Sequence, residues 1–513
     1  MLTMSSALDR CARLYGARPA IVDAERTWTW SEHLSRVARA AGLLAGLGVR
    51  RGDRYGILAR NLPRHCELVH AGYWMGAVPV PVNIRLAPPE IAFILEDAGV
   101  RALAVDEPFL PLLEHAAIAP HAGNAFAVSA APLGGRLPDY ETLLASARPA
   151  PLVDSREEDD AILFYTGGTT GRSKGVRLTH RNVVSNGMQC AMEYGYRGTD
   201  TYLHVAPMFH SADLLGTGYT LLGGAHAYLP QFSPRGFLDA IAQLGVTGTM
   251  VSPTAIIMTL QELRPTDFDL ARFRFLLYGS APMAPEWIAR AIEAFPGAAV
   301  VQGYGLTETS PILTCLDFAE HQRALASGDT TRLKSVGRPV AGVDMRILDE
   351  AGREVATGEV GEVVVRAPNV TAGYLNLPEA TAAAIRQGWF HTGDVGRMDG
   401  EGFLYLLDRK KDMVITGGEN VYTIEVEQAL YQHPDVAECA VFGVPDEKYG
   451  EALFAAIVPR AGAKLDAEAI IAHCRARIGG YKIPRRMAFL PALPKSAMGK
   501  VLKTELRRSH ASA

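Results

Sequence analysis

Tyr165-Thr166-Gly167-Gly168-Thr169-Thr170-Gly171-Arg172-Ser173-Lys174-Gly175 is the stretch from which the rest of the chain is read. Its eleven residues hold four glycines, four Thr/Ser hydroxyls and two cations. It follows Ala161-Ile162-Leu163-Phe164, an apolar run that predicts a buried strand. A loop leaving a strand with many free N–H and O–H donors and net positive charge suits a polyphosphate. Glycines let the backbone approach the anion, the hydroxyls add donors, and Arg172 and Lys174 add charge. The Walker pattern does not fit, because here the lysine precedes the glycine. A mobile Gly/Thr surface loop is the plain alternative, and other parts of the chain have to decide.

A length of 513 residues exceeds one ordinary core, so two or more domains are expected. Hydrophobic content of 48% and charged content of 21% suit a globular protein. A net charge of −4 gives no global attraction to nucleic acid or to an anionic membrane. Cys11, Cys66, Cys190, Cys315, Cys439 and Cys474 are scattered without a CxxC pair, which predicts free thiols and a cytoplasmic location. The first residues show no signal peptide, and no run of about 18 apolar residues predicts a membrane span.

Towards the amino terminus, Thr29-Trp30-Ser31-Glu32 has the form of a capping box before a helix. Short strands are expected at 55–58, 78–82 and 102–105, with a helix from Pro88 to Asp97. Helices alternating with short apolar strands predict an α/β layered fold. Residues 106–155 are Ala/Pro-rich and poorly patterned, and read as a connecting region. Downstream, a helix over about 181–192 leads to Tyr202-Leu203-His204-Val205-Ala206-Pro207-Met208-Phe209-His210, a strand ending in a proline turn.

Two further stretches pair a strand with a small-residue turn. Phe275-Leu276-Leu277-Tyr278-Gly279-Ser280-Ala281-Pro282 is one, and Val300-Val301-Gln302-Gly303-Tyr304-Gly305-Leu306-Thr307-Glu308-Thr309 is the other. Turns at the carboxyl ends of parallel strands form the crevice where ligands settle in such folds. Tyr304 offers a flat face for a purine, Gly279 and Gly303 offer backbone hydrogen bonds, Thr307 a phosphate donor, and Glu308 an oxygen ligand for Mg²⁺. Taken singly, Tyr304 reads as core and Glu308 as a helix-terminal acid. Further on, Thr392-Gly393-Asp394 places a carboxylate able to accept both hydroxyls of a ribose. Asp408-Arg409-Lys410-Lys411-Asp412 is a charge run between strands, and a compact α+β module of about 100 residues follows. It ends in Pro494-Lys495-Ser496-Ala497-Met498-Gly499-Lys500, which in isolation reads as a solvated tail.

The order of these motifs, over roughly 20–503, resembles the adenylate-forming enzymes: acyl-CoA synthetases, luciferases and peptide-synthetase adenylation domains. The resemblance implies an α/β fold with a large layered N-terminal body, residues 1–407, and a small α+β C-terminal domain, residues 408–513, joined by a hinge at Asp408. It implies ATP, Mg²⁺ and coenzyme A as cofactor and co-substrates of an acid–CoA ligase. Catalysis falls to Lys500, Glu308, Thr166 and His210, with Glu308 on the metal. Thr166, Gly167, Gly168, Thr169, Thr170, Gly171 and Lys174 hold phosphates. Gly279, Ser280, Ala281, Gly303, Tyr304, Gly305 and Thr307 line the adenine and α-phosphate. Asp394 takes the ribose, Arg409 reaches the nucleotide, and Gly417 and Gly418 line the pantetheine tunnel.

By the same resemblance, His210, Ser280 and Gly305 border the acid. Small residues there admit a fatty or arylpropenoic acid, and no cation stands out for a second carboxylate. Rival readings are a luciferase-like oxygenase, a module loading a carrier protein, and a dead nucleotide-binding regulator; a homodimer is the assembly considered. The chain departs from the pattern at Thr423, where many relatives have proline after Asn-Val-Tyr.

Overall fold

The computed structural model describes the chain except residues 1, 130–136, 167–172, 410–411, 417–418, 447–448, 464, 496–500 and 511–513, with backbone only at 409, 419 and 420. By compactness the chain divides into two units, Met1–Asp344 with Val365–Phe390, and Met345–Val364 with His391–Ala513.

The first unit is built on a nine-stranded sheet. Its middle strands, Pro19–Val22, Ala225–Tyr228, Thr201–His204, Gly248–Val251, Phe275–Gly279 and Ala299–Tyr304, pair parallel in that order. Phe275, Leu276, Leu277 and Tyr278 are all buried, as a parallel strand covered on both faces requires. The register sets Gly279 beside Gly303, so the turns after both strands leave the same end of the sheet. A second, all-parallel sheet runs Val78–Pro81, Arg54–Leu58, Leu103–Asp106, Ala125–Val128.

That last strand lies inside the stretch read as a mere connection. Ala125-Phe126-Ala127-Val128 is too short to show a period, but pairing with Leu103–Asp106 buries all four residues. A helix, Tyr140–Ser146, follows with Asp139 as its cap. The opening helix Met4–Tyr15 is likewise additional to the elements expected from sequence: it buries Met4, Leu8 and Cys11, a stripe diluted by Arg, Ser and Asp. Elsewhere the local signals hold. Thr29 and Glu32 make a reciprocal capping box, and Thr179 caps His180–Glu193. The third sheet is a hairpin, Asp160–Thr166 with Lys174–Thr179, extended by Gly373–Tyr374.

In the second unit a sheet runs Glu419–Val421, Val414–Thr416, Gly450–Pro459, Val436–Asp446, with Arg486–Phe489 also on Gly450–Pro459. One face packs Val441, Leu453 and Ile457 against Val426, Leu430 and Ile470. The other packs Phe442 and Phe454 against Leu506 of the helix Lys503–His510.

The core of the first unit holds a histidine network. His33 Nε2 lies 2.9 Å from His70 Nδ1. His204 Nε2 lies 2.9 Å from His226 Nδ1, whose Nε2 lies 3.0 Å from Thr220 Oγ1. Asp213 holds the other nitrogen of His204. Burial pushes His33 and His226 well below the usual imidazole range, helped by the neighbouring imidazoles, and pushes His70 down to about 3. His33, His70 and His226 are neutral in the fold, whereas the unfolded chain protonates them below about pH 6.5. The stability they lend is therefore complete above that pH and drains away below it, by about 1.4 kcal/mol per pH unit per histidine. The urea midpoint is expected to hold above about pH 6.5 and to fall steeply from there to about pH 4.5, less steeply in His70→Gln; an unchanged midpoint contradicts this.

Candidate active site

Steric closeness fixes the glycines at the carboxyl ends of the two central strands. A Cβ on Gly279 would stand 2.7 Å from the carbonyl oxygen of Gly303, and one on Gly305 would stand 1.7 Å from that of Pro311. Neither position tolerates a side chain. Ser280 follows with φ +68°, an uncommon conformation for a non-glycine residue, and is exposed at the strand end with Ala281. Tyr304 ends its strand half-buried.

The turn after Tyr304 forms the short helix Thr307–Thr309, whose Thr309 Oγ1 accepts from the Leu306 N–H at 2.9 Å. Ser211 Oγ donates to Thr307 Oγ1 at 3.0 Å. Since Ser211 follows His210, this bond brings the proposed acid-side histidine next to the proposed phosphate-side threonine. His210 itself is half-buried, and its Nδ1 accepts from the Ala212 N–H at 3.2 Å. Asn61 shapes this turn: its Nδ2 donates to the carbonyls of His204 and Ala206, each at 3.0 Å, and its Oδ1 accepts from the Met208 N–H at 2.9 Å. Its one hint in the sequence is its place before the helix-opening Pro63.

Glu308 is held from two sides by the segment 371–375. Tyr374 Oη donates to Glu308 Oε1 at 2.9 Å, and the Thr371 N–H donates to the Glu308 carbonyl at 2.7 Å. Lys174 Nζ lies over the Tyr374 ring, 4.9 Å from its centroid. Thr166 pairs with Lys174 across the mouth of the hairpin. Gly167, Gly168, Thr169, Thr170 and Gly171 lie outside the described residues. Thus Thr166, Lys174, Glu308, Thr307 and His210 are joined by direct contacts or through Tyr374 and Ser211. Tyr374 gave no signal, sitting in a two-residue strand after glycine.

In the second unit, Thr392 Oγ1 donates to the Val363 carbonyl at 2.7 Å and accepts from the Asp394 N–H at 3.0 Å. With Gly393 at φ +71°, this turn sets the buried Asp394, whose backbone pairs with that of Arg409. Only the backbone of Arg409 is described, and Gly417, Gly418 and Lys500 lie outside the described residues. A bridge between Lys495 and Val501 and a bond from the Leu502 N–H to the Pro494 carbonyl, 2.9 Å, bracket residues 496–500.

The buried Asp408 accepts from the Thr423 N–H at 2.5 Å. Proline at 423 could not donate this bond. Lys503 Nζ donates to Thr423 Oγ1 at 2.6 Å and pairs with Glu427 at 2.8 Å. Burial raises the Glu427 carboxyl above its usual range, and Lys503 opposes that shift.

A hard carboxylate at Glu308, with Thr307 next to it in the chain and Lys174 linked to it through Tyr374, is chemistry suited to a metal-bound triphosphate. Residues 8–375 match the family of AMP-binding enzymes, and residues 425–500 match the AMP-binding enzyme C-terminal domain. The chain is 38% identical to a feruloyl-CoA synthase of Amycolatopsis sp, covering 97% of each chain. It is 36% identical to the 2-succinylbenzoate–CoA ligase of Geobacillus kaustophilus, over 99% of this chain and 98% of that one. It is 35% identical to a long-chain-fatty-acid–CoA ligase of Mycobacterium tuberculosis, over 94% and 93%. Among solved structures, ATP-bound MatB from Rhodopseudomonas palustris superposes with a TM-score of 0.88 at 30% identity, covering 100% of this chain and 99% of that one. The o-succinylbenzoate CoA synthetase of Bacillus subtilis, in complex with its acyl-adenylate intermediate, gives 0.85 at 30% identity, over 98% and 97%. The chain belongs to the adenylate-forming superfamily, and within it to the acyl-CoA synthetases and aryl-acid CoA ligases.

Proposed function

We propose that this acid–CoA ligase activates an arylpropenoic acid of the cinnamate or ferulate kind. A free carboxylate is a poor electrophile, because its charge repels nucleophiles and it has no good leaving group. In the first half-reaction a carboxylate oxygen attacks the α-phosphorus of ATP. The bond from that phosphorus to the bridging oxygen breaks, and pyrophosphate leaves. In the second, the sulfur of coenzyme A attacks the acyl carbon, the thiol proton is released, and AMP departs with the bond it shared with the acyl group. No side-chain nucleophile is needed, so the work is positioning and neutralisation of phosphoryl charge.

The 38% identity to a feruloyl-CoA synthase carries the choice of acid, and the Ser211–Thr307 hydrogen bond supports the chemistry by seating the turn of His210 against the turn of Thr307. His210 orients the carboxylate, with Ser280 and Gly305 beside it. Thr166, Lys174, Thr307 and residues 167–171 hold the phosphates. Gly279, Ala281, Gly303 and Tyr304 receive the adenine, and Asp394 and Arg409 the ribose and its nucleotide. Mg²⁺, when bound, supplies charge neutralisation on the phosphates, and Glu308 is the residue that would hold it.

Lys500 serves adenylation, Gly417 and Gly418 line the thiol path, and Asp408 is the pivot between residues 1–407 and 408–513. A fatty acid is the second reading, favoured by the 35% identity to a long-chain ligase. Six buried, unpaired cysteines support a cytoplasmic setting. No helix among the described residues is long and apolar enough to cross a membrane. A homodimer is the assembly to be tested, by the mass in solution.

Purified protein with Mg²⁺ and a panel of acids is expected to exchange labelled pyrophosphate into ATP and to consume free CoA thiol. Ferulate or cinnamate should give the highest kcat/KM; turnover with light emission or oxygen uptake, or only with a carrier protein, points to the rival chemistries. Lys500→Ala is expected to abolish acyl-AMP formation yet spare thioester formation from supplied acyl-AMP, and Gly417→Leu to do the reverse. Equal loss of both half-reactions in either variant refutes that division of labour.

A further inference from the structure

Tyr374 belongs to none of the motifs that carry the nucleotide chemistry, yet it touches two of their members. Its hydroxyl donates to Glu308 Oε1 at 2.9 Å, and its ring face receives Lys174 Nζ at 4.9 Å. The residue is tightly tethered. Its N–H donates to Thr381 Oγ1 at 2.9 Å, and the Leu375 N–H donates to the Gly175 carbonyl at 2.8 Å. Thr371 Oγ1 donates to the Arg177 carbonyl at 2.6 Å while the Thr371 N–H holds the Glu308 carbonyl. The ring is thus fixed to the strand after the phosphate loop and to the turn bearing Glu308.

Oppositely charged groups this close to a shared neighbour would otherwise attract each other. A Lys174–Glu308 ion pair would consume both the carboxylate a cation needs and the ammonium a phosphate needs. The phenol gives each charge another partner: a neutral O–H for the carboxylate and a π face for the ammonium. An O–H donor uses one of about four lone-pair sites on a carboxylate and leaves the rest for a metal.

We propose that Tyr374 is a positioning residue for adenylation, holding Glu308 for the divalent cation that accompanies ATP and keeping Lys174 apart for the triphosphate. This deepens the ligase reading and rests on it. The thiol-transfer half-reaction, which uses neither group, is independent of Tyr374.

Tyr374→Phe keeps the ring and removes the donor. Mn²⁺ binding in the presence of a non-hydrolysable ATP analogue, followed by electron paramagnetic resonance, is expected to weaken by about tenfold, the scale for losing a partner of a metal ligand. The Mg²⁺ dependence of pyrophosphate exchange should shift by the same factor, while thioester formation from supplied acyl-AMP is unchanged. Tyr374→Leu, which also removes the π face, should in addition raise the KM for ATP. Mn²⁺ affinity of Tyr374→Phe within about twofold of the parent, or equal loss of both half-reactions, overturns the proposal. If the parent protein forms no adenylate from any acid, the ligase reading fails, but the Mn²⁺ titration still decides the role of Tyr374.

Discussion

The candidate site depends on how closely the backbone packs at the carboxyl ends of two neighbouring parallel strands. With Gly279 against the Gly303 carbonyl and Gly305 against that of Pro311, a single added methyl at either place would meet another atom. Parallel register then forces both turns to emerge side by side. Ser280, Tyr304, Thr307 and Glu308 are consequences of that placement, each carried by the residues just past a strand end. This is the crevice that open α/β sheets offer to ligands.

Around it the fold adds stitches rather than new elements. Asn61 holds the turn before His210 with four hydrogen bonds, Ser211 ties that turn to Thr307, and segment 371–375 ties Glu308 to the hairpin. The Asn61 and 371–375 stitches satisfy backbone groups that a bare loop would leave to water, and the Ser211 stitch joins two hydroxyls. The buried thiols stay out of the chemistry: burial raises Cys11 and Cys66 to about 12, where a thiol remains protonated. That agrees with a mechanism needing no protein nucleophile.

What could be read from the sequence was whatever repeats a local rule. The capping box at Thr29, the apolar run at Phe275 and the small-residue turns were all legible, because each signal spans a few consecutive residues. The strand Ala125–Val128 was not, because its identity comes from its partner Leu103–Asp106 across an intervening stretch of helix and turn. Tyr374 and Asn61 were hidden for the same reason. Their partners are 66 residues away at Glu308 and 147 away at Met208, and no period links such distances. The histidine network was equally invisible, since each ring looked like a lone polar residue until folding stacked them together.

The Asp408–Thr423 bond is one link of a longer chain. From strand Leu404–Arg409 it passes to helix Thr423–Tyr431, and through Lys503 to the final helix. All of these lie in one compact unit. The carboxyl-terminal helix is therefore not an appendage that could be trimmed to ease crystallisation or to attach a tag. Removing the whole of it, Lys503 included, would strip Glu427 of its counter-charge and the Thr423 hydroxyl of its donor.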